Sequence, residues 1–267
     1  MSFVKVNGVR LSYERSGGGQ PVLLVMGTGA SAHVWTMRQT PALHRAGYET
    51  ITFDNRGMPP SDAPPGKYSL DDMVADTVGL IEALDLAPCR IVGVSLGAMI
   101  AQEVAAARPE LLGAAVLMAT RLRADAFRRA LHQADQVLAE KGQRVPAAHS
   151  VIASALQMLS PQTLNDDAAV RTWLDLFELT YAPTPPGGGQ VWVDFTGDRR
   201  QALSTVRVPC RVIAFADDVI TPPHLAAEVA ETIPDCDYLE IAGCGHLGFL
   251  ERPDEVNAAI IEFLDKF

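Results

Sequence analysis

Arg90–Ile91–Val92–Gly93–Val94–Ser95–Leu96–Gly97–Ala98–Met99–Ile100 is the stretch whose reading decides the fold. Arg90 to Val94 is a short β-branched run, the pattern of a buried parallel strand. From Leu96 the periodicity becomes helical: Met99, Ile100, Val104 and Ala107 recur at spacings of one, four and three, and Pro109 stops the run. Between strand and helix sits G-x-S-x-G, with Gly93 and Gly97 flanking Ser95. A sharp strand-to-helix turn crowds neighbouring backbones, so both flanks need small residues. The turn lifts the serine Oγ clear of the sheet and aims it at a helix N-terminus, where free N–H groups favour a developing negative charge.

Working outward, 267 residues fit one domain with room for an insertion and a substantial core. A hydrophobic content of 48% and a charged content of 20% read as globular. No apolar run approaches the roughly 20 residues of a membrane span, and Met1–Ser2–Phe3–Val4–Lys5 enters a strand without the apolar core of a signal peptide. A cytoplasmic location is expected. The net charge of −10 leaves no basic stripe to meet phosphates, which argues against nucleic acid and anionic membranes as partners. Cys89, Cys210, Cys236 and Cys244 lack C-x-x-C spacing and lie in or beside predicted strands, so buried free thiols are expected, with neither disulfide nor metal site.

The chain begins with strands over Phe3–Val6 and Val9–Glu14 around the hairpin signal Asn7–Gly8. Further strands are expected at Val22–Met26, Thr50–Phe53, Ala114–Met118, Arg211–Phe215 and Tyr238–Ile241. Helices are expected through Trp35 and Leu43, after the cap Ser69, from Pro223 to about Thr232, and from Pro253 to Phe267. Between Arg121 and Thr205 the alternation breaks. Phe127–Lys141, Ala147–Leu159 and Ala168–Tyr181 read as helices, followed by a flexible loop at Pro183–Gly189. Alternating strands and helices imply a mostly parallel sheet covered on both faces, with the site at the C-terminal strand ends.

Serine needs a positioned base. Of six histidines, His246 alone lies in a glycine-rich loop, Gly243–Cys244–Gly245–His246–Leu247–Gly248, directly after the last strand; His33, His44, His132, His149 and His224 read as structural. An imidazole that becomes charged wants a carboxylate. Asp217 and Asp218 both follow the strand Arg211–Phe215, and Asp54, after an earlier strand, is a weaker alternative acid whose favoured reading is a turn anchor. Two backbone donors should hold an oxyanion: the N–H of Leu96 after the nucleophile, and that of Thr28 in Gly27–Thr28–Gly29.

These motifs resemble the α/β-hydrolase fold over nearly the whole chain. The elbow Gly93–Val94–Ser95–Leu96–Gly97, the turn Asp54–Asn55–Arg56–Gly57, the Asp218-to-Pro222 spacing, Gly245–His246 and the order Ser95, Asp218, His246 all match. In that family the acid precedes the proline by four residues, which selects Asp218 over Asp217. Within the fold, the chain is similar to the small esterase, enol-lactonase and non-haem haloperoxidase (perhydrolase) group. The resemblance implies an eight-stranded core over residues 1–120 and 206–267, with a helical cap insertion over 121–205. Two departures stand out: Met26–Gly27 replaces the usual His-Gly of the oxyanion loop, and Met58–Pro59–Pro60–Ser61 stiffens the loop after Arg56–Gly57.

The expected activity is a serine hydrolase that needs no cofactor and cleaves an ester, thioester or lactone of a small to medium apolar molecule. Serine at the elbow separates it from relatives of this fold that use aspartate there. A lyase, cyclase or perhydrolase on the same triad, with a natural-product tailoring role, is the alternative, and a non-catalytic receptor the more distant one. The expected partner is a small-molecule substrate, with homo-oligomerisation left open. Met26, Met118, Met158, Trp173, Phe177 and Trp192, with Tyr181 and Phe195, are candidate pocket residues, although Trp173, Phe177 and Tyr181 also fit a packing stripe. Arg121 and Arg123, at the entrance to the insertion, are placed to meet an anionic substrate, but a solvated surface is the favoured expectation.

Overall fold

A computed structural model describes residues 1–143, 145–180 and 188–267. Asn7 and Gly8, both at positive φ, turn β1 (Ser2–Val6) back onto β2 (Val9–Gly17), with Val6 opposite Val9. The remaining strands are β3 (Gln20–Val25), β4 (Tyr48–Phe53), β5 (Cys89–Val94), β6 (Leu112–Met118), β7 (Cys210–Phe215) and β8 (Cys236–Ile241). They form one eight-stranded sheet in the order β1-β2-β4-β3-β5-β6-β7-β8, antiparallel at β1/β2 and β2/β4 and parallel elsewhere. This is the α/β hydrolase arrangement. After β4 the chain crosses to the far side of β3, so β3 and β5 lie side by side with their connections leading to opposite halves. Their C-terminal ends flank the crevice that a strand-order reversal opens.

The inner parallel strands β3, β5, β6 and β7 are largely apolar on both faces because each face is covered, whereas the edge strand β8 is mostly exposed. Leu23 and Val25 of β3 pack into one core, and Val22 and Leu24 into the other, as the two-residue strand period requires. The first core also takes residues from α2 (Leu70–Ala83), α3 (Leu96–Ala107) and α9 (Pro223–Thr232); the second takes them from α1 (Trp35–Arg45) and α11 (Pro253–Leu264). Ser69 caps α2 through a complete capping box, accepting from the Asp72 N–H while the Asp72 carboxylate accepts from the Ser69 N–H. Cys89, Cys210 and Cys244 are buried and Cys236 is half-buried, all as free thiols.

Between β6 and β7 the described residues contain no strand. They form α4 (Ala126–Lys141), α5 (Ala147–Met158), α6 (Pro161–Leu164), α7 (Asp167–Thr180) and α8 (Arg200–Leu203). Neither α4 nor α7 has a fully buried residue, and α5 buries only Val151 and Ala155. Tyr181 and residues 183–187 of the expected flexible loop lie outside the described residues. The single turns α6, α8 and α10 (Gly248–Glu251) were not expected from sequence, because four residues are too few to show a helical period. No helix of the described residues is long and apolar enough to cross a membrane.

Candidate active site

The elbow after β5 is tightly constrained. Ser95 has φ 55° and ψ −119°, a conformation that costs a non-glycine residue about 1–3 kcal/mol and persists only where surroundings enforce it. Its N–H donates to the Met118 carbonyl at 3.0 Å, and its own carbonyl accepts from Ala98 and Met99 at 3.0 and 3.1 Å. The flanking glycines are there for clearance. A Cβ on Gly93 would stand 2.3 Å from the Gly97 oxygen, and one on Gly97 would stand 2.0 Å from the Val25 oxygen. Helix α3 therefore begins pressed against the end of β3, as the sequence motif implies.

The loop leaving β3 runs alongside the serine: a Cβ on Gly27 would lie 3.2 Å from the Ser95 Cβ. Leu96 opens α3, so its N–H is one of the first-turn amides that no helix carbonyl receives. Thr28 is exposed on the neighbouring loop. Three side chains hold that loop. Asn55 donates to the Met26 carbonyl at 3.0 Å. Asp54 accepts from the Ser31 hydroxyl at 2.9 Å and the Ala32 N–H at 2.8 Å. Burial raises the Asp54 carboxyl pKa, and these two donors partly offset the rise. Asp54 is thus the turn anchor expected from sequence.

Gln190 is the third holder, and sequence reading missed it. It is buried; its Oε1 accepts from the Gly29 N–H at 2.9 Å and its Nε2 donates to the Arg56 carbonyl at 2.7 Å. No motif signals it, because its partners are backbone groups 161 and 134 residues away. Replacing Gln190 with leucine leaves both groups without partners, and we expect a stability loss of about 1–3 kcal/mol in a denaturant titration. An unchanged midpoint would show that the tether contributes nothing.

After β7 and β8, Asp218 and His246 meet: His246 Nδ1 and Asp218 Oδ2 are 2.8 Å apart, with both side chains buried. The other carboxylate contacts are also donors. Thr221 Oγ1 donates to Oδ2 at 2.7 Å, and the Ile220 and Thr221 N–H groups donate to Oδ1 at 2.7 and 2.9 Å. An ionised carboxylate accepts all of these, which places the imidazole proton on Nδ1 and leaves Nε2 as an acceptor. Burial pushes the Asp218 pKa upward, but the charge and hydrogen bond of His246, together with the Thr221 donors, reverse this and hold it below its ordinary range. Asp217 donates its N–H to the Cys244 carbonyl at 3.0 Å, and its carboxylate has no hydrogen bond among the described residues. Ser95 and His246 are not joined by a direct hydrogen bond among the described residues.

The histidine loop is clamped from outside the sheet. Glu251 accepts from the Gly245 N–H at 2.6 Å and from the Ser160 N–H and hydroxyl at 3.0 and 2.9 Å. The Leu247 N–H donates to the Met158 carbonyl at 3.0 Å. The sequence-predicted pocket residues scatter. Met118 is 0% exposed and Met26 is buried, both within the second core. Met158, Trp173 and Phe177 are half-buried, with the Trp173 and Phe177 rings 5.9 Å apart on α7. Of that set, Trp192 and Phe195 line a cavity of about 360 Å³. The two arginines also separate. Arg123 pairs with Glu228. Arg121, expected on a solvated surface, is buried: its chain turns inward beneath the Phe195 ring.

Comparison with known proteins agrees with this geometry. The family model for the alpha/beta hydrolase fold matches residues 20–253. BpoC of Mycobacterium tuberculosis, a protein assigned provisionally to the non-heme bromoperoxidases, is 43% identical over 256 residues, covering 96% of this chain and 97% of that protein. Its crystal structure superposes with a TM-score of 0.92 over 96% of both chains. RutD of Azorhizobium caulinodans, provisionally a carbamate hydrolase, is 29% identical over 255 residues, 95% of this chain and 94% of its own. A thermophilic esterase from Thermogutta terrifontis has a TM-score of 0.85 at 26% identity, covering 100% of this chain and 99% of its own. With its model matched from β3 through β8 and a relative similar almost end to end, the chain belongs to the α/β hydrolase fold family.

Proposed function

We propose that the protein is a serine hydrolase acting on an ester, thioester or lactone, with Ser95, His246 and Asp218 as its catalytic residues. The observation that carries this reading is the strained Ser95 elbow in a chain that also forms the buried His246–Asp218 pair. Ser95 Oγ attacks the carbonyl carbon while His246 Nε2 takes its proton. The Leu96 and Thr28 N–H groups receive the oxyanion. Collapse expels the alcohol or thiol, or opens the lactone, and His246 returns the proton to the leaving oxygen or sulfur. Water then attacks the acyl-serine, again giving a proton to His246, and the acid leaves as Ser95 is restored. The helices of residues 121–205 act as a cap, and this sequence of steps uses no cofactor or metal.

Intact mass spectrometry after exposure to a small fluorophosphonate tests the reading. One adduct on the wild type and none on Ser95→Ala is expected; a folded wild type that stays unlabelled overturns it. The 43%-identical relative's provisional assignment favours one variation, in which hydrogen peroxide replaces water at the acyl-serine and a peracid leaves. Under saturating peroxide, peracid should then form from the same ester at a rate that falls with Ser95→Ala. Peracid formation that is undiminished in that variant would separate it from the triad.

A further inference from the structure

Arg121 is the charge that the mechanism leaves unused. It is 5% exposed, yet no carboxylate among the described residues is hydrogen-bonded to it. Residues 144 and 181–187 contain no acid either. Its Nη1 donates to the Ile220 carbonyl at 3.2 Å, its guanidinium carbon lies 5.0 Å from the Phe195 ring centroid, and its buried Nε has no partner. The acids that act on it through space are committed elsewhere. Asp125 accepts from the Arg128 N–H and guanidinium, both at 2.8 Å, and Asp218 holds His246 and Thr221. Other buried arginines are provided for. Arg56 is paired with Asp76, Arg211 with Asp237 and Glu262, and Arg90 donates to Gln20, Leu264 and Phe267. A buried cation without a counter-charge is costly unless something brings one.

Arg121 lines the cavity of about 360 Å³ together with Met99, Gln102, Leu122, Trp192 and Phe195. Met99 lies one helical turn beyond Ser95, and its N–H donates to the Ser95 carbonyl. The cavity is therefore lined from the same helix, α3, that the Ser95 elbow begins. Its acidic neighbours are accounted for: Glu103 is taken by Arg199, Asp194 accepts from Thr196, and Asp71 is in the exposed first turn of α2. Gln102 fixes the base of the arginine, donating to the Thr120 hydroxyl at 2.5 Å and the Arg121 carbonyl at 3.5 Å. The free Nε–Nη2 edge is the one that grips a carboxylate with two parallel bonds.

We propose that Arg121 receives a carboxylate of the substrate, so that the molecule attacked by Ser95 carries an acid end joined by an apolar chain to its scissile carbonyl. This rests on the serine-hydrolase reading for the reacting end. The test uses Ser95→Ala protein, titrated calorimetrically with p-nitrophenyl hemiesters of succinic, glutaric and adipic acid, each against its terminal carboxamide. At one chain length or more, the acid should bind at least about tenfold more tightly than the amide, or about 1.4 kcal/mol. Adding Arg121→Met should bring the ratio to about one, and adding Arg123→Gln should leave it intact. If the methionine variant does not fold, Arg121→Lys keeps the charge but not the fork, and should give an intermediate ratio.

Equal binding at every length, no binding of either member, or a ratio that survives Arg121→Met overturns the proposal. Fluorophosphonate labelling of the wild type separates the two readings. A labelled Ser95 with equal binding rejects the carboxylate site alone. An unlabelled Ser95 with an arginine-dependent ratio rejects the hydrolase reading and keeps the anion site.

Discussion

Asp218→Asn is expected to lower kcat by about 10⁴-fold while the chain stays folded. All the hydrogen-bonding neighbours of this carboxylate donate: His246 Nδ1, the Thr221 hydroxyl, and the N–H groups of Ile220 and Thr221. A carboxamide of the same shape must turn its NH₂ toward one oxygen's donors. Toward His246, it donates to Nδ1 and drives the proton to Nε2, where the imidazole can no longer accept from serine. The imidazolium formed during reaction also loses its buried counter-charge. Steady-state kinetics on an activated ester would show the loss in kcat. Asp217→Asn is the internal control, because that side chain has no part in the pair, and its kcat should stay within a few-fold of wild type. A loss below tenfold for Asp218→Asn would remove Asp218 from the mechanism.

The second large effect concerns stability. Asp76→Ala should destabilise the fold by about 3–5 kcal/mol, because it takes away the two-bond partner of the buried Arg56 guanidinium and leaves only the half-exposed Asp72, at 3.5 Å. Arg56 Nε and Nη2 reach Asp76 Oδ2 and Oδ1 at 2.5 and 2.6 Å, and Asn7 donates to the same carboxylate at 3.0 Å. For a chain of this size, the melting temperature should fall by roughly 10 °C. The double variant Arg56→Met with Asp76→Leu should recover most of that loss, since an apolar pair carries no desolvation penalty. Calorimetric scans of the single and double variants check both statements; a single variant within 1 kcal/mol of wild type would be incompatible with them. The effect should extend beyond stability. Asn55 and the Arg56 carbonyl join this turn to Met26 and Gln190, and so to the loop beside Ser95.

How far the sequence could be read depended on the range of the interactions. Strands β3, β5, β6 and β7 were legible because burial on both faces forces continuous apolar runs. The elbow was legible because two backbones too close for any Cβ demand glycine at 93 and 97. His246 and Asp218 could be picked out by their loops, and the fold brings them together. Gln190, Glu251 and Thr221 were not legible. Gln190 and Glu251 act by holding backbone groups of distant loops, and Thr221 through an acid it helps orient, so none sits in a recurring pattern. The aromatic residues of 173–195 were ambiguous for a related reason: helical spacing reports that a face is apolar and cannot say what covers it. Arg121 was misplaced because charge alone suggests water, whereas its stem follows a buried strand and its head lies under Phe195.

The clamp on the histidine loop limits how this protein can be recombined. Met158 and Ser160 belong to the helical segment, yet they hold Leu247 and, through Glu251, Gly245, on either side of His246. The segment that would choose the substrate is therefore also part of the mount for the proposed base. Grafting residues 121–205 from a relative would exchange specificity and base alignment together, and a chimera would report their sum. Junctions placed inside the segment, keeping residues 158–160 with Glu251 as one inherited block, would let the two properties be varied separately.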